Sequence, residues 1–264
     1  MSIIGIDVGT STTKVIEVKE NRIVSKAIIR GKYSKEYYDE FLKNNEIENI
    51  DKVVFTGIGA DKINKEDYTE KVEIVDEFTG IAKGALALTE KEEGLVVSVG
   101  TGTAFINIEK DEIKHLGGTG LGAGTLFNFS QAFLGITNFD EMLELIEKGD
   151  VEKVDLRIKD ITTAEIETLP LDLTLANFGK LNKESKPEDI AAGLINMVFE
   201  IIGMMAVFIV EKKDNKEVIL IGNITKLPGV RTVLDRIEKV KNIKFYIPEE
   251  SEFSVAYGAI VASK

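Results

Sequence analysis

Apolar residues in this chain fall into short runs with strand character and longer runs with helical spacing, and the two kinds alternate. Residues 3–18 read as two apolar strands joined by a tight turn. Ile3, Ile4 and Ile6 lead in, and Val15, Ile16 and Val18 lead out. The pattern predicts a third strand over 22–30. A helix over 35–44 follows, with Tyr37, Tyr38, Phe41 and Leu42 on one side. Strands follow at 52–56 and 72–75, then a helix of small and apolar residues over about 79–88. Two more strands are expected at 95–99 and 104–108, a charged link at 110–114, and helices at 126–133 and 138–148. Residues 150–175 carry little periodicity, although 169–179 reads as ordered. A long helix over 189–212, strands at 218–221 and 244–247, and helices at 231–239 and 254–262 complete the chain. Strands alternating with helices indicate an α/β fold.

The turns carry the candidate chemistry. Asp7, Gly9, Thr10, Ser11, Thr12, Thr13 and Lys14 fill the first one. Short side chains there let backbone N–H groups approach an anion, and the hydroxyls add donors. Asp7 at the strand end suits a hydrated divalent ion, and Lys14 supplies a point charge for a phosphate. An ordinary hairpin with a polar turn has the same composition. The design returns about 90 residues later, where a strand meets Gly100, Thr101, Gly102 and Thr103 and a second strand leaves. The pair suggests a duplicated fold whose two loops face one nucleotide. A third stretch, residues 116–125, holds glycines at 117, 118, 120, 122 and 124 and runs into a helix start, where open amides and the helix dipole favour an anion.

Composition narrows the class. At 264 residues the chain suffices for one large domain or two smaller ones; the seam is expected near residues 110–116, giving units 1–112 and 113–264. A net charge of −12 argues against non-specific nucleic-acid binding. The absence of cysteine excludes a disulfide framework, a thiolate metal site, a thiol nucleophile and a cysteine-held cluster, and fits a reducing cytoplasm. No export signal is expected, because the chain opens on strand-like residues without a basic, apolar leader. The run 190–210 is nearly long enough to cross a bilayer. Asn196 and Glu200 interrupt it, and its flanks lack a basic bias, so a core or subunit-interface helix is expected and no membrane partner.

In order and spacing these motifs resemble the acetate/sugar kinase, heat-shock ATPase and actin superfamily, and within it the type II pantothenate kinases, nearly end to end. The likeness rests on GID-x-G-T with Lys14 seven residues after Asp7, Glu77-Phe78, Val99–Thr103, the glycine-rich stretch 116–125, Gly149-Asp150, 173–179, 219–229 and the closing small-residue helix. It implies a duplicated ribonuclease-H-like fold, with ATP between two domains. It implies ATP-dependent phosphorylation of pantothenate to 4'-phosphopantothenate, the first step of coenzyme A synthesis, by a homodimer with the long helix as interface element. Alternatives are a kinase for pantetheine or another small alcohol, and a nucleotide-dependent regulator of the same fold.

The resemblance also implies roles. Glu77 matches the catalytic base, and its place at a strand-to-helix boundary beside Val75 and Phe78 suits a raised pKa; a first-turn glutamate favouring the helix dipole reads the same. Asp76 beside it suits a helix cap. Asp7 would orient Mg²⁺ through water, Lys14 would contact phosphate, and Thr101 and Gly102 would contact ATP or the acceptor. Ala123, Gly124, Thr125, Leu126 and Phe127 match the nucleotide segment, with helix-start amides facing the phosphates. Phe139 matches an aromatic near ATP, or is core, and Asn223 matches a polar adenosine contact. One departure stands out: His115, the only histidine, occupies the position where the family commonly has Arg. Histidine does not pair bidentately with a carboxylate, so one hydrogen bond, Lys114, or a different acceptor would have to compensate. A solvated loop histidine is the other reading.

Overall fold

A computed structural model describes residues 2–110, 112–164 and 170–264. The expectations made for Asp111 and for residues 165–169 fall outside them. The chain opens with β1 (Ser2–Val8), β2 (Thr12–Lys19), β3 (Arg22–Arg30), α1 (Lys35–Asn44), β4 (Lys52–Thr56), β5 (Lys71–Ile74) and α2 (Glu77–Thr89). It continues with β6 (Gly94–Val99), β7 (Thr103–Glu109), β8 (Glu112–Thr119), α3 (Ala123–Leu134), α4 (Phe139–Lys148), β9 (Leu156–Arg157), β10 (Thr174–Ala176) and α5 (Pro187–Val210). It closes with β11 (Glu217–Ile221), α6 (Val230–Lys241), β12 (Lys244–Tyr246) and α7 (Ser254–Ala262).

The duplication is visible in the sheets. One has the order β3-β2-β1-β4-β5, the other β12-β11-β6-β7-β8, and β9 pairs with β10 apart from both. In each large sheet an antiparallel three-strand meander continues into two parallel strands. Thus β6, β7 and β8 repeat β1, β2 and β3. Since β6 and β7 belong to the second sheet, the chain changes sheet between α2 and β6, ahead of the seam expected at residues 110–116. The final helix returns. Ala256, Ala259 and Ile260 of α7 pack on Ile3, Ile16 and Val54 of the first sheet, while Ile81, Ala82 and Ala85 of α2 pack on Val96, Ile106 and Ile219 of the second.

The two crossing helices sit back to back between the sheets. A side chain at Gly84 would put its Cβ 1.9 Å from the Ser254 carbonyl oxygen, and one at Gly258 would put it 1.9 Å from that of Gly80. Only glycine permits this approach. The outer faces are filled conventionally: Tyr38 and Phe41 of α1 cover Ile4, Ile6 and Phe55, and Leu194, Val198 and Ile202 of α5 cover Leu95, Val97 and Val99.

The helix α5 is long and apolar enough to cross a membrane, yet most of it is buried against the second sheet and α6. Its mid-run polar residue Asn196 is buried and bonded on all sides. It donates to Asp155 (2.6 Å) and Thr174 (3.3 Å) and accepts from Arg236. That network ties the little-periodic segment to α5. Two readings of the sequence change. The glycine-rich stretch is no loop throughout: residues through Thr119 form the edge strand β8, with a bulge that lets Ile106 pair with His115 and Phe105 with Gly117. Gly118 tolerates the tight pairing because its missing Cβ would lie 2.4 Å from the Thr103 carbonyl. The polar insertion also holds two short strands, β9 and β10.

Candidate active site

A cavity of about 490 Å³ opens between the sheets, lined from one side by the β1–β2 turn and from the other by the β6–β7 turn. Its position follows from side-chain alternation along β1. Ile3 and Gly5 face α7, and a Cβ at Gly5 would stand 2.7 Å from the Ala256 carbonyl. Asp7, two residues on, lies on the same face beyond the helix start and lines the cavity. Across the hairpin Asp7 pairs in register with Lys14, whose Nζ donates to its carboxylate at 3.0 Å.

The two turns touch. Ser11 Oγ and Thr101 Oγ1 are hydrogen bonded at 3.0 Å, and Asn223 Nδ2 donates to Thr12 Oγ1 at 3.3 Å. Asn223 is set there by Gly222, which adopts a left-handed φ of +120° and packs so closely on Val99 that a Cβ would stand 2.1 Å from its carbonyl oxygen. The Asn223 carboxamide oxygen is buried without a partner among the described residues. Thr10, Ser11, Thr12, Thr101 and Asn223 therefore present a ring of donors and acceptors around one space.

Glu77 enters the same space from the first turn of α2. Its neighbour Asp76 caps the helix by accepting from Thr79 N at 3.0 Å, as the sequence predicts. The Glu77 carboxyl is pushed above the usual range by burial and by the negative Asp7, with Lys14 opposing. A half-buried carboxyl with a raised pKa facing a hydroxyl-lined cleft is suited to accepting a proton. Among the described residues no three His, Cys, Asp or Glu side chains gather as a metal cage. Asp7, a single carboxylate at the base of the first turn, matches an ion that keeps most of its water, as Mg²⁺ does.

Of the residues singled out in the sequence, Asp7, Gly9, Thr10, Ser11, Thr12, Lys14, Glu77, Thr101, Gly102, His115, Ala123 and Asn223 line the cavity. The others are placed differently. The Thr13 side chain points to the opposite face of β2 and is fully buried. Leu126 is in the core under α5, and Phe127 packs beside it. Two of the helix-start amides expected to face an anion are already used: Ala123 N donates to Gly100 O at 2.8 Å and Gly124 N to Thr101 O at 3.0 Å. Here α3 buttresses the second turn, and Thr125 Oγ1 closes on Gly120 O at 2.9 Å. Phe139 packs against the core with the Arg30 guanidinium over its ring at 4.8 Å. His115 stacks on Phe78, ring centroids 4.4 Å apart, beside Glu77 at the mouth.

Sequence reasoning missed Ser98, Glu252 and Ile58, which also line the cavity. Ser98 was within reach, because superposing the two turns puts it opposite Asp7. Glu252, held by Lys226 at 2.9 Å, and Ile58 had no such signal.

The chain has known relatives in sequence and in fold. The family model Fumble matches residues 94–246. A type II pantothenate kinase of Staphylococcus epidermidis is 29% identical over 268 residues, covering 97% of this chain and 98% of that protein. Among solved structures, the activator of 2-hydroxyisocaproyl-CoA dehydratase from Clostridium difficile, with bound ADPNP, superposes with a TM-score of 0.68 at 16% identity, over 99% of this chain and 94% of that one. The ROK hexokinase of Thermus thermophilus does so with 0.57 at 12% identity, over the full length of both. At such identities the structural likenesses establish the fold alone: two duplicated halves around a cleft.

Proposed function

Because this chain belongs to the Fumble family, that of the type II pantothenate kinases, we propose that it transfers the γ-phosphoryl group of ATP to the primary hydroxyl of pantothenate, giving 4'-phosphopantothenate at the start of coenzyme A synthesis. One observation carries the reading: Glu77, with its raised pKa, opens onto the same cavity as both Gly/Thr turns.

The residues present fit the nucleotide. The orphaned Asn223 oxygen and the hydroxyls of Thr10, Thr12 and Thr101 offer the polar partners that a triphosphate and its nucleoside need. The structural neighbour holding ADPNP supports a nucleotide in a cleft of this shape. Asp7, held in place by Lys14, would carry the water shell of Mg²⁺; the bound ion supplies neutralisation of phosphate charge. Lys14 offers a point charge to the transferred group, and the hydroxyls of the two turns orient it. Glu77 takes the proton of the acceptor hydroxyl as the new O–P bond forms and the bond to the β-phosphate oxygen breaks, releasing ADP. Thr101 and Gly102 border both partners. His115, fixed against Phe78, stands at the acceptor end and donates one hydrogen bond to the acceptor carboxylate.

Two further statements belong to this reading. The chain works in the cytoplasm as a homodimer. The α5 helix leaves Ile201 37% and Phe208 67% exposed, seven residues apart on one face, and a second copy would cover them. The whole reading is tested by incubating purified protein with Mg-ATP and pantothenate. Equal amounts of ADP and 4'-phosphopantothenate support it, and folded protein that leaves pantothenate untouched refutes it.

A further inference from the structure

The cavity is poor in positive charge for a triphosphate. Asp7, Glu77 and Glu252 line it, against the single lysine Lys14, which is already bonded to Asp7. A polyanion entering this space gains from a further cation beside the metal ion.

Strand register identifies one that the cavity lining leaves out. Arg30, the last residue of β3, pairs with Thr12 of β2, and residues directly opposite in an antiparallel ladder share a face. Arg30 therefore projects from the side of the sheet that carries Thr12, Lys14 and Asp7 toward the cleft. Its strand end is clamped to the first turn, because Gly31 N donates to Ser11 O at 3.1 Å. The guanidinium crosses to the other half of the molecule and lies 4.8 Å from the ring centroid of Phe139 at the start of α4. It forms no hydrogen bond or ion pair with a described residue, so its donors are unspent. Stacking leaves the in-plane N–H groups of a guanidinium available, and their fork matches phosphate oxygens.

We propose that Arg30, steadied against Phe139, is a nucleotide-binding residue that grips the triphosphate from the β3 side of the first turn and so bridges the two halves over it. This rests on the reading that the cleft takes ATP. Neither Arg30 nor its strand carries any motif of the nucleotide site; the assignment comes from register and stacking alone.

The test is calorimetric titration of the full-length protein with ATP and, separately, with adenosine, for wild type, R30Q and R30K. The expected result for R30Q is ATP affinity weakened by at least about tenfold, the loss of a charge-assisted bond, with adenosine affinity within about twofold of wild type. R30K, which keeps the charge but not the fork, is expected between the two. Unchanged ATP affinity in R30Q overturns the proposal. So does an equal loss for ATP and adenosine together with a lowered ligand-free melting temperature, which marks Arg30 as a strut between the halves. Wild-type protein that binds no ATP overturns the nucleotide reading itself and Arg30's role with it.

Discussion

Glu77 and His115 are where single side chains decide the chemistry. The Glu77 carboxyl is held above its ordinary range chiefly by burial and then by the charge of Asp7. The acid limb of the kcat profile is therefore expected above the pH at which an ordinary glutamate titrates. Removing the charge in Asp7→Asn should move that limb to lower pH, whatever it does to the rate; a limb that stays put would separate the two carboxylates. The same raised pKa has a consequence for folding. Its stability contribution is present below the unfolded-state pKa and is lost as pH rises through the folded one, so ionising Glu77 weakens the fold. His115 is fixed by its stack on Phe78 rather than by a charge partner. Lys14, the single permanent cation lining the cavity, is engaged by Asp7. His115→Arg is thus expected to lower KM for pantothenate several-fold with kcat nearly unchanged, as a bidentate carboxylate partner would. Steady-state kinetics with unchanged KM would place the acceptor carboxylate elsewhere.

Among the elements, the α2–α7 contact makes the sharpest demand on sequence. Gly84→Ala drives a methyl group to within 1.9 Å of a backbone carbonyl, and backbone does not rotate away as a side chain does. We expect a loss of about 2–3 kcal/mol, read as a fall in melting temperature of roughly 5–10 °C. An unchanged melting temperature would mean that the two helices part freely. Elements with a clear period were legible in the sequence: α1, β4 and α7 run over the residues their apolar spacing predicts. The fold class and the two matched turns were legible for the same reason, since strand–turn–strand repeats survive duplication. What failed had physical causes. Glycines at 117 and 118 read as a loop, but they sit in an edge strand whose bulge and tight pairing need them. The helix-start amides of α3 read as an anion site, but tertiary contact with the second turn satisfies Ala123 N and Gly124 N first. Thr13 alternates away from the cleft, which a residue-by-residue transfer of a motif ignores and a strand period of two foretells. No local pattern could show Arg30 meeting Phe139, more than a hundred residues away.

At the scale of the whole molecule, two sheets face one cleft, and each is covered by the helix that ends the other half. The two halves meet at the close α2–α7 contact and again across the cleft, where the turns carrying Ser11 and Thr101 touch. On the proposed reading that a second copy covers the exposed face of α5, Phe208→Asp is expected to shift the protein from dimer to monomer in sedimentation; a native protein that already sediments as a monomer would refute the interface. The central claim is that the paired turns hold ATP while Glu77 primes the acceptor. It is tested most directly by measuring ATP affinity and pantothenate turnover side by side for wild type and Glu77→Gln. The expected result is unchanged ATP binding with kcat lowered by about 10²-fold or more, and Glu77→Gln turning over pantothenate at near the wild-type rate would contradict it.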